Sequence, residues 1–211
     1  MKLYATSFVT TEEKEKRWTK MSNAKAGEKS PAYLWGCDIS LKSTGISIYD
    51  LRSKRFVYIG SFNTEKIYAT KENKGLYLNG VKLRKVAEWI EALIEKYPPY
   101  YVAHERGFSR YNNETQNIFR CHGVVNYLLS QFPQDYYPPK KVKGAIVHGS
   151  ASKEDVANAI MQVYDVEFEN EDESDSCAVV LTCLIEKGVI EWHKPSWASI
   201  KKLRKPVEDK K

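Results

Sequence analysis

Four carboxylates stand where chemistry could use them: Asp38 in "GCDISLKSTG", Glu105 in "YYVAHERGF", and Asp172 and Asp175 in "ENEDESDSCAVV". Asp38 lies within or at the end of an apolar run that reads as a buried strand. Burying a lone carboxylate is costly unless something pairs with it. Glu105 closes a second such run, and ligand sites in α/β sheets gather at the C-terminal ends of strands. Asp172 and Asp175 open an apolar helix three residues apart, a spacing that puts both on one face. Were the two strands neighbours, all four acids could meet. Four adjacent carboxylates cannot all stay ionised without a cation. Hard oxygen ligands select Mg²⁺ or Mn²⁺, and two such ions can clamp the attacking and leaving oxygens of a phosphodiester. Each acid also has a plainer reading. Asp38 fits an Asx-type turn before "LKSTG", Glu105 fits a pair with Arg106 or another cation, and Asp172 and Asp175 fit a solvated acidic helix start favoured by the helix dipole.

The elements that must position these residues are readable from period and punctuation. "YLWGCDI", "TGISIYD" and "RFVYIGSF" are rich in β-branched and aromatic residues, and short connections predict an antiparallel meander. Residues 79–96 change to helical spacing, with Val86, Ile90, Leu93 and Ile94 on one side, and "YPP" stops the helix. "YYVAHE" is a short buried strand. Residues 114–131 form a second helix with Ile118, Val125, Leu128 and Leu129 on one side, and "DYYPP" is a short fifth strand. Ser152 opens a helix to Tyr164 in a capping-box-like start with Asp155. The last helix runs from about Glu173 to Lys187, before Gly188. The order β-β-β-α-β-α-β-α-α predicts an α/β fold with a mixed sheet covered by helices.

Length and charge bound the rest. The 211 residues suit one domain with extensions. Residues 1–32 hold seven Lys/Arg against four Glu, and residues 194–211 seven against two acids; with +6 overall, the body 33–193 nets −2. This divides the chain into a basic, partly flexible arm (1–32), a folded body (33–193) and a basic tail (194–211). Basic ends serve a polyanion partner or simple solubility. No run spans a membrane, and the start lacks an apolar secretion signal, so a cytoplasmic protein is expected. Cys37, Cys121, Cys177 and Cys183 form no CxxC pair and read as buried reduced thiols. His104, His122, His148 and His193 fit no zinc spacing.

The motifs also carry a resemblance. "GCDISLKSTGISIYD" resembles the first motif of RuvC-type Holliday junction resolvases, in the RNase H-like, retroviral-integrase superfamily. "HERGF" is similar to their second motif, "VKGAIVHGSASKEDV" to their basic segment, and "DESDSCAVVL" to their closing DxxDA, with Ser176 in place of the usual Ala. The resemblance covers roughly residues 33–187 and implies an RNase H-like five-stranded sheet. It implies that Asp38, Glu105, Asp172 and Asp175 are catalytic metal ligands for Mg²⁺, with Mn²⁺ as substitute and two ions per site. Glu171 competes with Asp172 for that place in the acidic loop. Phe108 would stack on a base, a contact worth roughly 1–3 kcal/mol. Lys143 and Lys153 would contact the scissile phosphate or stabilise its developing charge. Arg106, Arg110, Lys140 and Lys141 are expected on the same DNA-binding face. Gly149 is expected to permit a tight turn before the helix.

The resemblance further implies a homodimer, with residues 114–131 near the twofold axis, that nicks a four-way DNA junction symmetrically by hydrolysis. The basic arm and tail depart from the family and resemble additions in phage-encoded members. Sugar kinases share the opening strand pattern but need a second repeat of the fold, and the chain has no P-loop spacing. RNase H-like nucleases that process ribosomal RNA ends are a nearer alternative, and a non-catalytic branched-DNA binder is a third.

Overall fold

The computed structural model describes residues 32–72, 74–107, 112–196 and 199. The N-terminal arm, most of the tail, Phe108 and Arg110 lie outside the described residues.

Five strands form one sheet: β1 (Tyr33–Asp38), β2 (Ser43–Asp50), β3 (Arg55–Asn63), β4 (Pro99–Glu105) and β5 (Gln134–Tyr137). Their spatial order is β3-β2-β1-β4-β5. The first three pair antiparallel, as the short connections predicted. β4 pairs parallel with β1 and with β5. β1 is central and covered on both faces, with Leu34, Trp35 and Cys37 fully buried. The β2–β3 turn is held by Asp50, which accepts from Arg52 N (3.1 Å) and Ser53 Oγ (2.7 Å).

Helices α1 (Leu76–Lys96) and α2 (Asn112–Leu129) cover one face, packing Val86, Ile90, Leu93, Val125 and Leu129 against Trp35, Cys37, Ile46 and Val102. Helices α3 (Pro139–Ile146), α4 (Lys153–Met161) and α5 (Glu171–Glu186) cover the other, with Val142, Ile146, Ile160, Val180 and Leu184 against Leu34, Tyr49 and Ala103. Ser152 caps α4 in a full capping box with Asp155. Asn170 caps α5 by accepting from Glu173 N at 3.2 Å.

Two glycines let α5 lie directly on the sheet. A Cβ on Gly36 would collide with Ser176 O and Val180, and one on Gly45 with the backbone of Asp172. The first turn of α5 is thereby seated over β1 and β2, where Gly45 is the ladder partner of Asp38.

The structure corrects several expectations. The prolines of "DYYPP" belong to α3 rather than to β5: Pro138 is the N-cap and Pro139 the first helical residue, where a missing N–H costs nothing. This eight-residue helix was not anticipated. The last helix starts two residues earlier than expected, at Glu171, which brings Asp172 inside its first turn. Gly149 does lie in the turn before α4, closed by Ala151 N donating to His148 O at 2.9 Å, but it is not among the described glycines with positive φ, which are Gly75 and Gly188. Its value is space, since a Cβ there would press within 3.1 Å of the Lys140 Cγ.

Candidate active site

The parallel pairing of β1 with β4 aligns Cys37 with His104, so Asp38 and Glu105 leave neighbouring strands at the same edge of the sheet. The Gly45–Asp172 contact brings the start of α5 to that edge. Asp172 Oδ2 then accepts from Ser43 Oγ at 2.5 Å, at the first residue of β2. Asp175, one turn further along α5, receives Lys153 Nζ at 2.6 Å. Lys153 is the first residue of α4, and its ammonium also reaches Glu171 at 3.3 Å.

The electrostatics agree with this convergence. Burial, then the charges of Glu105, Asp175 and Asp172, push the Asp38 carboxyl well above the usual carboxylate range, and Lys153 only partly offsets them. Burial and the field of Asp175 raise Glu105 to about 7, against the pull of Lys153 and Lys143. Asp175 is raised by burial in spite of its ion pair with Lys153. For Lys153 itself, burial works against the ammonium, but Asp175, Asp38 and Glu171 outweigh it and hold the proton more tightly than usual.

Four acids and two lysines are therefore gathered at one sheet edge. Lys143 Nζ donates to Ala151 O at 3.0 Å, tying the end of α3 to the turn before α4 within electrostatic reach of Glu105. The charge of Asp172 raises Asp38, and those of Glu171 and Asp172 both raise Asp175. Glu171 stays on the rim, paired through Lys153. Arg106 is exposed beside Glu105, its backbone N donating to Tyr137 O. Lys140 is exposed on α3 and its stem lies along Gly149. Lys141 is not brought to the acids. It pairs with Glu186 at 2.8 Å, at the opposite end of α5.

Sequence reasoning missed Ser43, whose hydroxyl orients Asp172; its place in "KSTG", five residues after Asp38, was the available signal. It also missed Glu173, a buried acid of the same run. Its Oε2 accepts from Glu169 N at 2.8 Å, and its Oε1 from Ser61 and Asn170. Ser176, which stands where alanine was expected, is satisfied by Ser47 Oγ at 2.6 Å and Glu173 O at 2.9 Å.

Among the described residues, no three acid, imidazole or thiol side chains are drawn together closely enough to hold an ion as they stand. The donor chemistry nonetheless fits a hard divalent cation. Asp38, Glu105, Asp172 and Asp175 offer only oxygen, and Lys153 and Lys143 only partly offset the repulsion that raises Asp38 and Glu105.

A family profile described as crossover junction endodeoxyribonuclease RuvC matches residues 34–183. A protein of that name from Orientia tsutsugamushi (strain Boryong) is 28% identical over 73% of this chain and 96% of its own length. One from Prochlorococcus marinus subsp. pastoris is 26% identical over 72% and 96%. Among solved structures, T. thermophilus RuvC in complex with Holliday junction substrate superposes with a TM-score of 0.59 at 17% identity, covering 75% of this chain and 97% of that one. The yeast mitochondrial Holliday junction resolvase Ydc2 superposes with a TM-score of 0.53 at 14% identity, covering 89% of each chain. The mixed sheet flanked by helices is thus that of the RNase H-like fold.

Proposed function

The chain belongs to the RuvC family of crossover junction endodeoxyribonucleases, and from that premise we propose that it cuts four-way DNA junctions, and related branched DNA, by hydrolysis at the Asp38 cluster. The observation that carries this reading is the meeting of Asp38, Glu105, Asp172 and Asp175 with Lys143 and Lys153 at one sheet edge.

Asp38, Glu105, Asp172 and Asp175 would hold Mg²⁺, or Mn²⁺ in its place, at two ions per site. When bound, the ions supply Lewis-acid stabilisation of charge on the scissile phosphate and a more acidic attacking water. The protein's own groups do the rest. Ser43 fixes the rotamer of Asp172. Lys143 and Lys153 place positive charge where the phosphate would otherwise face four acids. Arg106 and Lys140 extend that positive surface, and Phe108 and Arg110 follow Arg106 in the sequence. The four cysteines offer no nucleophile: burial holds the thiols of Cys121 at about 11 and of Cys177 and Cys183 at about 12, and Cys37 higher still. Direct attack by water leaves a 5′-phosphate and a ligatable nick.

Symmetric cutting requires two such sites, and α2 offers the surface for a homodimer. Phe119 and Tyr127 are 59% and 77% exposed, four residues to either side of Gly123. A Cβ at Gly123 would meet nothing within 4 Å, so a second helix can approach closely there. No helix among the described residues is long and apolar enough to cross a membrane. We place the dimer in the cytoplasm, where its free thiols stay reduced.

The test is a nicking assay on a synthetic immobile four-way junction, with linear duplex and structured RNA as controls, in Mg²⁺, Mn²⁺ and EDTA. Paired, metal-dependent nicks in the junction are expected. Cleavage of RNA alone would overturn the reading in favour of an RNA-processing nuclease.

A further inference from the structure

We infer that the segment between β3 and α1, with the first turn of α1, is a second DNA-binding flank that holds an arm of the branched substrate on the far side of the cut from Lys143 and Lys153. The inference rests on the proposed junction-cutting activity and names a surface beyond it.

Charge is the first observation. Residues 64–79 carry three lysines, Lys66, Lys71 and Lys74, against Glu65 and Glu72, and the following turns of α1 add Lys82, Arg84 and Lys85, of which Lys85 pairs with Glu88 at 2.7 Å. Glu65 is already matched by Lys42 at 2.9 Å. No carboxylate among the described residues pairs with Lys66, Lys71 or Lys74, and the first turn of α1 holds no acidic residue to offset them. Such a concentration is the electrostatic footprint of a phosphate backbone.

Exposed apolar surface, two of its three residues aromatic, is the second. Tyr68, Leu76 and Tyr77 are 75%, 71% and 77% exposed within ten residues, interleaved with those lysines. Single exposed apolar residues are ordinary. Two tyrosine rings and a leucine so close together, interleaved with lysines, match the pairing of aromatic stacking platforms with basic side chains on nucleic-acid-binding surfaces.

Position is the third. β3 ends at Asn63, the ladder partner of Ser43, whose hydroxyl holds Asp172. Thr64 Oγ then donates to Leu41 O at 2.5 Å, three residues beyond Asp38. At its other end, Asn79 Nδ2 donates to Asn117 Oδ1 of α2 at 3.1 Å. The segment therefore leaves and rejoins the fold at the edge that carries the acids, on the β3 side. Lys143 and Lys153 come from α3 and α4, which follow β5 at the other end of the sheet. The acids stand between two basic flanks. A continuous duplex or a branch lying across the site would touch both, and the phosphate charge complements each.

The experiment uses the full chain and an immobile four-way junction in EDTA, with binding followed over a salt series. The triple variant Lys66→Gln/Lys71→Gln/Lys74→Gln is expected to bind at least tenfold more weakly. Its plot of log affinity against log salt should be shallower by about 2 to 3, as each lost phosphate contact removes about 0.9. Tyr68→Ala/Tyr77→Ala is expected to lose about tenfold with the slope unchanged, because stacking releases no counterions. The control Lys54→Gln/Lys96→Gln, at the opposite end of the sheet, should change neither quantity. Wild-type affinity and slope in the lysine triple would overturn the inference while leaving junction cutting intact. Failure of the wild-type protein to prefer the junction over linear duplex would overturn both.

Discussion

Lys153 Nζ lies 2.6 Å from Asp175 Oδ2, so the first residue of α4 places a cation among acids contributed by β1, β4 and α5. This ammonium does part of what a divalent ion would do. Removing it as Lys153→Met leaves the acids facing one another. In EDTA the variant should be less stable by about 1–2 kcal/mol, less than a fully buried pair would lose because Lys153 is partly exposed. Added Mg²⁺ should then raise its melting temperature by more than it raises that of the wild type. Equal shifts in thermal denaturation would show that Lys153 and the ion do not share a role.

The carboxylates also set a pH dependence. Glu105 is raised from an ordinary 4.5 to about 7, and Asp38 and Asp175 shift in the same direction. A raised carboxyl favours the protonated folded state. Its contribution is full below the unfolded value and fades as pH climbs from about 4.5 through about 7. Metal-free protein should therefore melt at a lower temperature at pH 7.5 than at pH 5, by an amount corresponding to at most about 3 kcal/mol from Glu105. Glu105→Gln should flatten the profile across that window. Melting curves in EDTA decide the point, and a wild-type-like slope in the variant would count against it.

Gly45 is the joint between the sheet and α5. In Gly45→Ala the new methyl occupies the position of the Asp172 backbone, so α5 must shift. The structure predicts a loss of about 2–3 kcal/mol from overpacking and a larger loss of cleavage than of junction binding, because Asp172 and Asp175 move together. Denaturant melts and parallel binding and nicking assays measure both.

The stripe on α2 gives an oligomeric prediction. Gly123→Leu and Tyr127→Asp alter an exposed face without touching the core. Each should shift the protein from dimer to monomer in light scattering while leaving the melting curve of the fold in place. An unchanged mass would put the dimer elsewhere.

The strands and the places of the candidate acids along them were legible because their signals are local. β-branched runs with short connections give the meander, and Asp38 and Glu105 each end an apolar strand. That β1 and β4 are neighbours, and that α5 lands over β2, follow from long-range packing at Gly36 and Gly45, which no window of sequence displays. α3 was hidden because its two prolines read as the end of a strand. They are its N-cap and first residue. Lys141 shows the limit of reading a basic run as one surface: it lies two residues from Lys143, yet pairs with Glu186 at the far end of α5.

If the four acids are one catalytic unit and not a structural acidic cluster, Asp38→Asn and Asp175→Asn will separate binding from cutting in a paired binding and nicking experiment on one immobile junction in Mg²⁺. Both variants should bind within a few-fold of the wild type and cut at least 100-fold more slowly, the scale expected when a group that acts on the transition state is lost. Cleavage at the wild-type rate by either variant would show that the acids are a structural cluster and not the cutting centre.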